Sequence, residues 1–226
     1  MRRAGFYVLF VGASVGACAP RGRVHDHSVS TVESPEQCFK DGVRNLSRDV
    51  GRAVAMFTRA CDGGFAPACS NLAVLCDEGK GVAIDPARAT ALYRRACDGG
   101  FAAGCRGLGV HYVEGRGVAR NETRAVELFE RACDGRDAEG CEAAGFCHAA
   151  GRGAPKNETR AAEFFARACE GGDSDGCVSL GERYAAGVGV PKDRARALEL
   201  LERACASGLP SGCESLHVIS SGGGAR

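Results

Sequence analysis

Cysteine is the residue type best placed to do chemistry here, with 14 in 226 residues. Ten of them form five pairs spaced eight apart: Cys61 and Cys69, Cys97 and Cys105, Cys133 and Cys141, Cys169 and Cys177, Cys205 and Cys213. Every pair brackets a version of one phrase, from RACDGGFAPAC at 59–69 to RACASGLPSGC at 203–213, and the first cysteines recur every 36 residues. Metal binding is a weak reading of this spacing, because structural zinc sites favour tighter pairs such as Cys-x2-Cys. Thiol–disulfide catalysis needs a reactive low-pKa pair such as Cys-x-x-Cys, and the chain has none. A disulfide framework in an oxidising compartment accounts for so many cysteines.

Other chemistry is sparse. Ser-x-x-Lys, Ser-Asp-Asn and Lys-Thr-Gly do not occur, nor does His-Glu-x-x-His. The five histidines, His25, His27, His111, His148 and His217, are scattered. Asn121 and Asn157 each open an Asn-Glu-Thr sequon, yet both stand where a helix cap is expected. Charge is balanced, 29 basic against 28 acidic residues, which gives no footprint for nucleic acid. Neither a cofactor nor a metal ligand set is expected.

The first residues read as an export signal: Met1-Arg2-Arg3, then the apolar run AGFYVLFVGASVGA, too short for a comfortable membrane span. Val15-Gly16-Ala17-Cys18 resembles the lipobox of bacterial lipoprotein signal peptides, with Val15 where Leu is usual. The resemblance implies cleavage after Ala17, lipidation of Cys18 and retention at an outer membrane, facing the periplasm or the exterior. Residues 18–35 then form a polar, flexible tether, residues 36–218 the folded domain and 219–226 a loose tail.

The cysteines must be positioned by helices. Asp49, Asp85, Asn121, Asn157 and Asp193, each 12 residues before a first cysteine, are N-cap residues. Behind each cap, alanine and large apolar residues at offsets four, seven, eight and eleven make one helical face; in the first unit these are Ala53, Met56, Phe57 and Ala60. Gly63-Gly64 and its counterparts end that helix. A second helix starts just before the second cysteine, with Cys105, Leu108, Gly109 and Tyr112 on one stripe. A glycine inside a helix costs nearly 1 kcal/mol relative to alanine, which makes sense where another backbone comes close.

The pattern L-G-x-x-Y-x-x-G-x-G-V-x-x-D before an alanine-rich helix, as in LGVHYVEGRGVARN at 108–121, resembles the Sel1-like repeat, a relative of the tetratricopeptide repeat. With a cysteine pair in every unit, the nearest subgroup is the Helicobacter cysteine-rich protein family. The resemblance implies an all-α solenoid, an α/α superhelix of helix pairs. It also brings a β-lactamase-like or penicillin-binding label, for which these residues supply no mechanism.

On such a fold the first cysteine ends one helix and the second opens the next, so Cys61–Cys69, Cys97–Cys105, Cys133–Cys141, Cys169–Cys177 and Cys205–Cys213 are the expected disulfides. Cys38–Cys76 is expected as a further bridge between stacked units, and Cys147, about 240° around its helix from Cys141, either as a partly exposed thiol, free or paired with another chain, or as a small residue packed at a helix edge. The arginine columns starting at Arg52 and Arg59 are read as architecture. The working surface is expected on the second helices, whose offsets two, five, six and nine from the cysteine face a concave groove. These positions include Asn71, Leu75 and Glu78, then Val110, His111 and Glu114, then Phe146, and finally Ser179, Glu182 and Arg183. The functional expectation is a non-catalytic scaffold or adaptor for a protein, peptide or cell-wall-related ligand.

Overall fold

The computed structural model describes residues 33–222, so the expected signal peptide, Cys18, most of the tether and the end of the tail lie outside the described residues. Eleven helices and no strand occur among the described residues. In order they are α1 (Pro35–Asn45), α2 (Val50–Asp62), α3 (Ala66–Glu78), α4 (Pro86–Asp98), α5 (Ala102–Glu114), α6 (Glu122–Asp134), α7 (Ala138–Ala150), α8 (Glu158–Glu170), α9 (Ser174–Ala186), α10 (Arg194–Ala206) and α11 (Pro210–Ser220).

The even-numbered helices begin as their caps dictate. The side chains of Asp49, Asp85, Asn121, Asn157 and Asp193 each accept the backbone N–H three residues on. Helices α3, α5, α7 and α9 end on Gly79, Gly115, Gly151 and Gly187 in the left-handed conformation. Buried alanines in the even helices let neighbours approach; Ala53, Ala89, Ala125, Ala161 and Ala197 are fully buried. The close approach at the stripe glycines of α5 and α7 is made by a ring and not by a backbone, since a Cβ on Gly109 would lie 2.6 Å from the Phe129 ring and one on Gly145 2.8 Å from Phe165.

All five expected pairs are disulfides, with Cα–Cα distances of 4.4–4.7 Å. They bridge α2 to α3, α4 to α5, α6 to α7, α8 to α9 and α10 to α11. These are the less extensive helix joints; the unbridged joints α3/α4, α5/α6, α7/α8 and α9/α10 are packed more broadly. The bridges therefore reinforce the weaker seams.

The later arginine column is structural. Arg95, Arg131, Arg167 and Arg203 each donate to the carbonyl of a cysteine one unit back, Cys61, Cys97, Cys133 and Cys169. Three of them also pair with the aspartate beside that cysteine, Asp62, Asp98 or Asp134. A guanidinium at the open carbonyl end of a helix meets the negative pole of that helix, so each arginine ties one unit to the next.

The expected Cys38–Cys76 bridge is not formed. The reason is register. Gly42 faces Phe57 as Gly109 faces Phe129, but 15 residues separate the first two and 20 the second, because α1 ends two residues sooner after its glycine and the α1–α2 connector is three residues shorter. The α1 residue matching Cys76 is Asn45: Asp49 N–H donates to the Asn45 carbonyl as Asp85 N–H does to that of Cys76. Cys38, four residues before Gly42, instead occupies the column of Cys105 and Cys141, four before Gly109 and Gly145.

Candidate functional site

The odd-numbered helices from α3 to α11 contact one another in succession, whereas among the described even-numbered helices α6 and α8 alone pack comparably. The odd helices thus form the tighter, inner wall of the array. Along it, Glu78, Glu114, Phe146 and Glu182 are exposed, and Asn71, Val110 and Ser179 are partly exposed.

Two expected groove residues do not face the groove. Leu75 and His111 are each 2% exposed. Helices α3, α5, α7 and α9 each pack against even helices on both sides, so the buried arc is wider than one stripe and takes in offset six. Arg183, in the same column, is mostly covered: its guanidinium lies 4.5 Å over the Phe165 ring and donates to Glu158 at 3.3 Å. Cys147, also in that column, is partly buried.

His111 organises the junction between α3, α4 and α5. Its Nε2 lies 2.7 Å from Asp77 Oδ2, and its Nδ1 lies 2.7 Å from Thr90 Oγ1 and 3.0 Å from the Arg116 carbonyl. Arg116 approaches the other Asp77 oxygen at 3.2 Å. Tyr93 packs edge-on to the imidazole at 5.1 Å, and burial drives its phenol pKa well upward. Hydroxyl, imidazole and carboxylate in a row have the composition of a hydrolase triad. Thr90 is 4% exposed and also donates to the Pro86 carbonyl, so the row is sealed and acts as a polar rivet.

His148 is buried as well, in the neighbouring column. It meets Glu130 at 2.7 Å through Nε2 and stacks on Phe164, while Arg160 joins Glu130 at 2.9 Å. Glu142, Asp173 and Asp175 bring three carboxylates close enough for one cation. The matching place one unit earlier carries Arg106, salt-bridged to Asp137 and Glu139 at 2.9 Å each.

The inner wall opens between α5 and α7 into a cavity of about 280 Å³. Val110, Val113, Phe129, Ala143, Phe146 and Cys147 line it, with Glu114, Glu122 and Arg152 at the mouth. Glu122 accepts hydrogen bonds from Arg120 and Arg152, which hold its carboxyl below the usual range. Burial pushes the Cys147 thiol up. Sequence reading found Val110, Glu114, Phe146 and Cys147 but missed Val113, Phe129 and Ala143. The available signal was column six, where Leu75, His111 and Arg183 are large and Cys147 is small. A wider cavity of about 740 Å³ lies between α9 and α11, lined by residues including Glu182, Ala186 and Val218.

No helix among the described residues is long and apolar enough to cross a membrane. No curated protein matches the sequence. Among solved structures, a protective antigen of uropathogenic Escherichia coli is similar with 26% identity and a TM-score of 0.77, over 83% of this chain and 42% of that one. This chain therefore spans less than half of that antigen. A Sel1 repeat protein from Oxalobacter formigenes is similar at 25% identity and a TM-score of 0.74, over 82% of this chain and 76% of that one. Helicobacter pylori cysteine rich protein B shares 28% identity over 58% of this chain and 94% of its own, with a TM-score of 0.48. The Sel1 repeat model matches five times without a gap, at 37–65, 66–101, 102–137, 138–173 and 174–209. In this phase each repeat pairs an odd helix with the following even one, so every disulfide joins one repeat to the next element, and the chain belongs to the Sel1 repeat family.

Proposed function

We propose that this Sel1 repeat protein is an exported, non-catalytic scaffold that holds a protein or peptide partner against its inner wall. The supporting observation is a contrast between columns. Buried positions repeat almost unchanged, such as the alanines at 53, 89, 125, 161 and 197, while the offset-five column, partly exposed at its start and exposed from Phe146 on, runs Val74, Val110, Phe146, Glu182 and Val218. Packing fixes the first set; the second varies in size and charge, as a recognition surface does. Five disulfides suit an oxidising compartment. Lipidation at Cys18 would hold the scaffold at the outer membrane, with a cell-wall component as one class of ligand.

Cross-linking in intact cells from positions 114 and 182, with mass spectrometry of captured proteins, tests the reading. Capture that depends on Val110, Phe146 and Glu182 is expected. Partners that remain bound after all three are substituted would refute the inner wall as the binding face. Cys18→Ala is expected to release the protein from the membrane fraction, and continued retention would refute the anchor. Turnover of a chromogenic β-lactam by the purified protein would overturn the non-catalytic assignment.

A further inference from the structure

We infer that the cavity between α5 and α7 is a socket for one aromatic side chain of a partner peptide, followed in that peptide by a lysine or arginine. The inference rests on the inner-wall reading above and names what that wall takes.

The size argument comes from the repeat itself. One unit before the socket, Asp77, Thr90 and His111 fill the junction with a hydrogen-bonded network. Thirty-six residues later the same three positions are Val113, Val126 and Cys147. Two valines and a thiol replace a carboxylate, a hydroxyl and an imidazole, and a cavity of about 280 Å³ stands at this junction. One unit further on, the long Arg183 side chain lies over Phe165 at 4.5 Å. Of these three successive junctions, this one lacks a large column-six side chain. What it lacks is a ring, and the neighbouring junction accommodates one.

The walls specify the chemistry of that ring. Val110, Val113 and Phe129 offer nothing to hydrogen-bond, and Phe146, half exposed, presents an aromatic wall at the opening. Such a site favours an apolar side chain and penalises a polar one, whose hydrogen bonds would go unmade. Phe146 already packs edge-on to Phe165 at 5.1 Å, so it is braced rather than loose.

Charge at the mouth specifies the next residue. Offsets two, five and nine of α3, α5, α7, α9 and α11 contain Glu78, Glu114 and Glu182 and neither lysine nor arginine. The basic side chains nearest the socket are engaged: Arg152 with Glu122 at 3.0 Å and Arg116 with Asp77 at 3.2 Å. Glu114 is half exposed and forms a long ion pair with Arg116, 3.7 Å against the 3.2 Å that Arg116 keeps to Asp77. It is the carboxylate placed to receive a cation adjacent to the inserted ring.

The test uses the oxidised protein and three peptides: acetyl-Gly-Phe-Lys-Gly-amide, the same with Ala for Phe, and the same with Glu for Lys. Methyl NMR of the valines and alanines reads binding, and protection of Cys147 from iodoacetamide reads occupancy. The Phe-Lys peptide is expected to saturate shifts at Val110, Val113 and Ala143, with the Ala peptide weaker by about tenfold or more, as loss of a buried ring requires. Glu114→Lys is expected to reverse the preference between the Lys and Glu peptides, and as an exposed change it leaves the core untouched. Cys147→Leu, the side chain Leu75 already supplies in this column, is expected to fill the socket and abolish the shifts. Equal binding of the Phe and Ala peptides, an unchanged charge preference in Glu114→Lys, or no saturable shift would each overturn the inference. Self-association removed by Phe146→Ala would overturn it in favour of a second copy of the chain. Partners still captured from position 182 by Cys147→Leu would defeat the socket alone, whereas partners indifferent to the whole wall would defeat the broader reading.

Discussion

Replacing Cys133 and Cys141 together by alanine should cost this protein about 3–4 kcal/mol. The bridge joins residues eight apart in sequence, and the loop-closure estimate for so short a loop is about 2.5 kcal/mol. Both cysteines are nearly inaccessible, at 1% and 3% exposed, so removal of their sulfurs adds on the order of 1 kcal/mol of lost packing. The α6/α7 joint that loses its bridge is one of the less extensive ones, and little else compensates. With a urea dependence of roughly 2 kcal/mol per molar, the midpoint should fall by about 1.5–2 M. Circular dichroism at the helical band reads this, and a broadened transition is expected because the array is coupled only through neighbours. Removing Cys205 and Cys213 is the internal comparison. Among the described residues α11 is the one helix beyond that bridge, so its loss should produce a small early transition and leave the main midpoint in place. A central variant shifted by less than about 0.3 M, equivalent to well under 1 kcal/mol, would refute the claim that the bridges reinforce weak seams.

Arg136 is the one non-glycine with positive φ among the described residues, at 65°, in a column otherwise held by Gly64, Gly100, Gly172 and Gly208. Arg136→Gly should stabilise by about 1 kcal/mol and raise Tm by roughly 2–4 °C in differential scanning calorimetry. His111→Ala should cost about 2–4 kcal/mol in urea unfolding, because Asp77 and Thr90 lose a buried partner. The Glu122 carboxyl is depressed by Arg120 and Arg152, so the native state binds fewer protons there than the unfolded chain does. Its contribution is therefore present above the unfolded carboxyl pKa and is lost as pH falls through the folded one. Arg152→Ala should raise the Glu122 titration measured by carboxyl NMR.

The strict 36-residue period made most of the architecture legible: caps, helix faces and bridge partners all follow from columns of equivalent residues, whereas the arginine columns read only as architecture, without disclosing the later column's contacts one unit back. Legibility failed where a column's environment is set by two neighbours at once. Leu75 and His111 looked outward on a helical wheel, yet α3 and α5 are each covered by even helices on both sides. Cys38 was misaligned because cysteine-to-cysteine matching ignored the shortened connector, whereas the Gly42–Phe57 contact reveals the register. The socket is a joint product of residues such as Val113, Phe129 and Cys147 on three helices, and no single column discloses a cavity.

The spacing of the bridges also governs how the sulfurs find their partners as the chain is made. Each native pair is separated by eight residues, but Cys76 follows Cys69 by seven and Cys147 follows Cys141 by six. In a reduced, full-length chain these two thiols compete with the native partners on nearly equal terms, since closure entropy barely distinguishes loops of such similar length. During vectorial emergence the order is different, because Cys61 and Cys133 each precede their native partner, which appears before the competitor does. Mispairing in oxidative refolding is thereby concentrated in the repeats around Cys76 and Cys147, and the other three bridges form without a near rival in either direction of synthesis or repair.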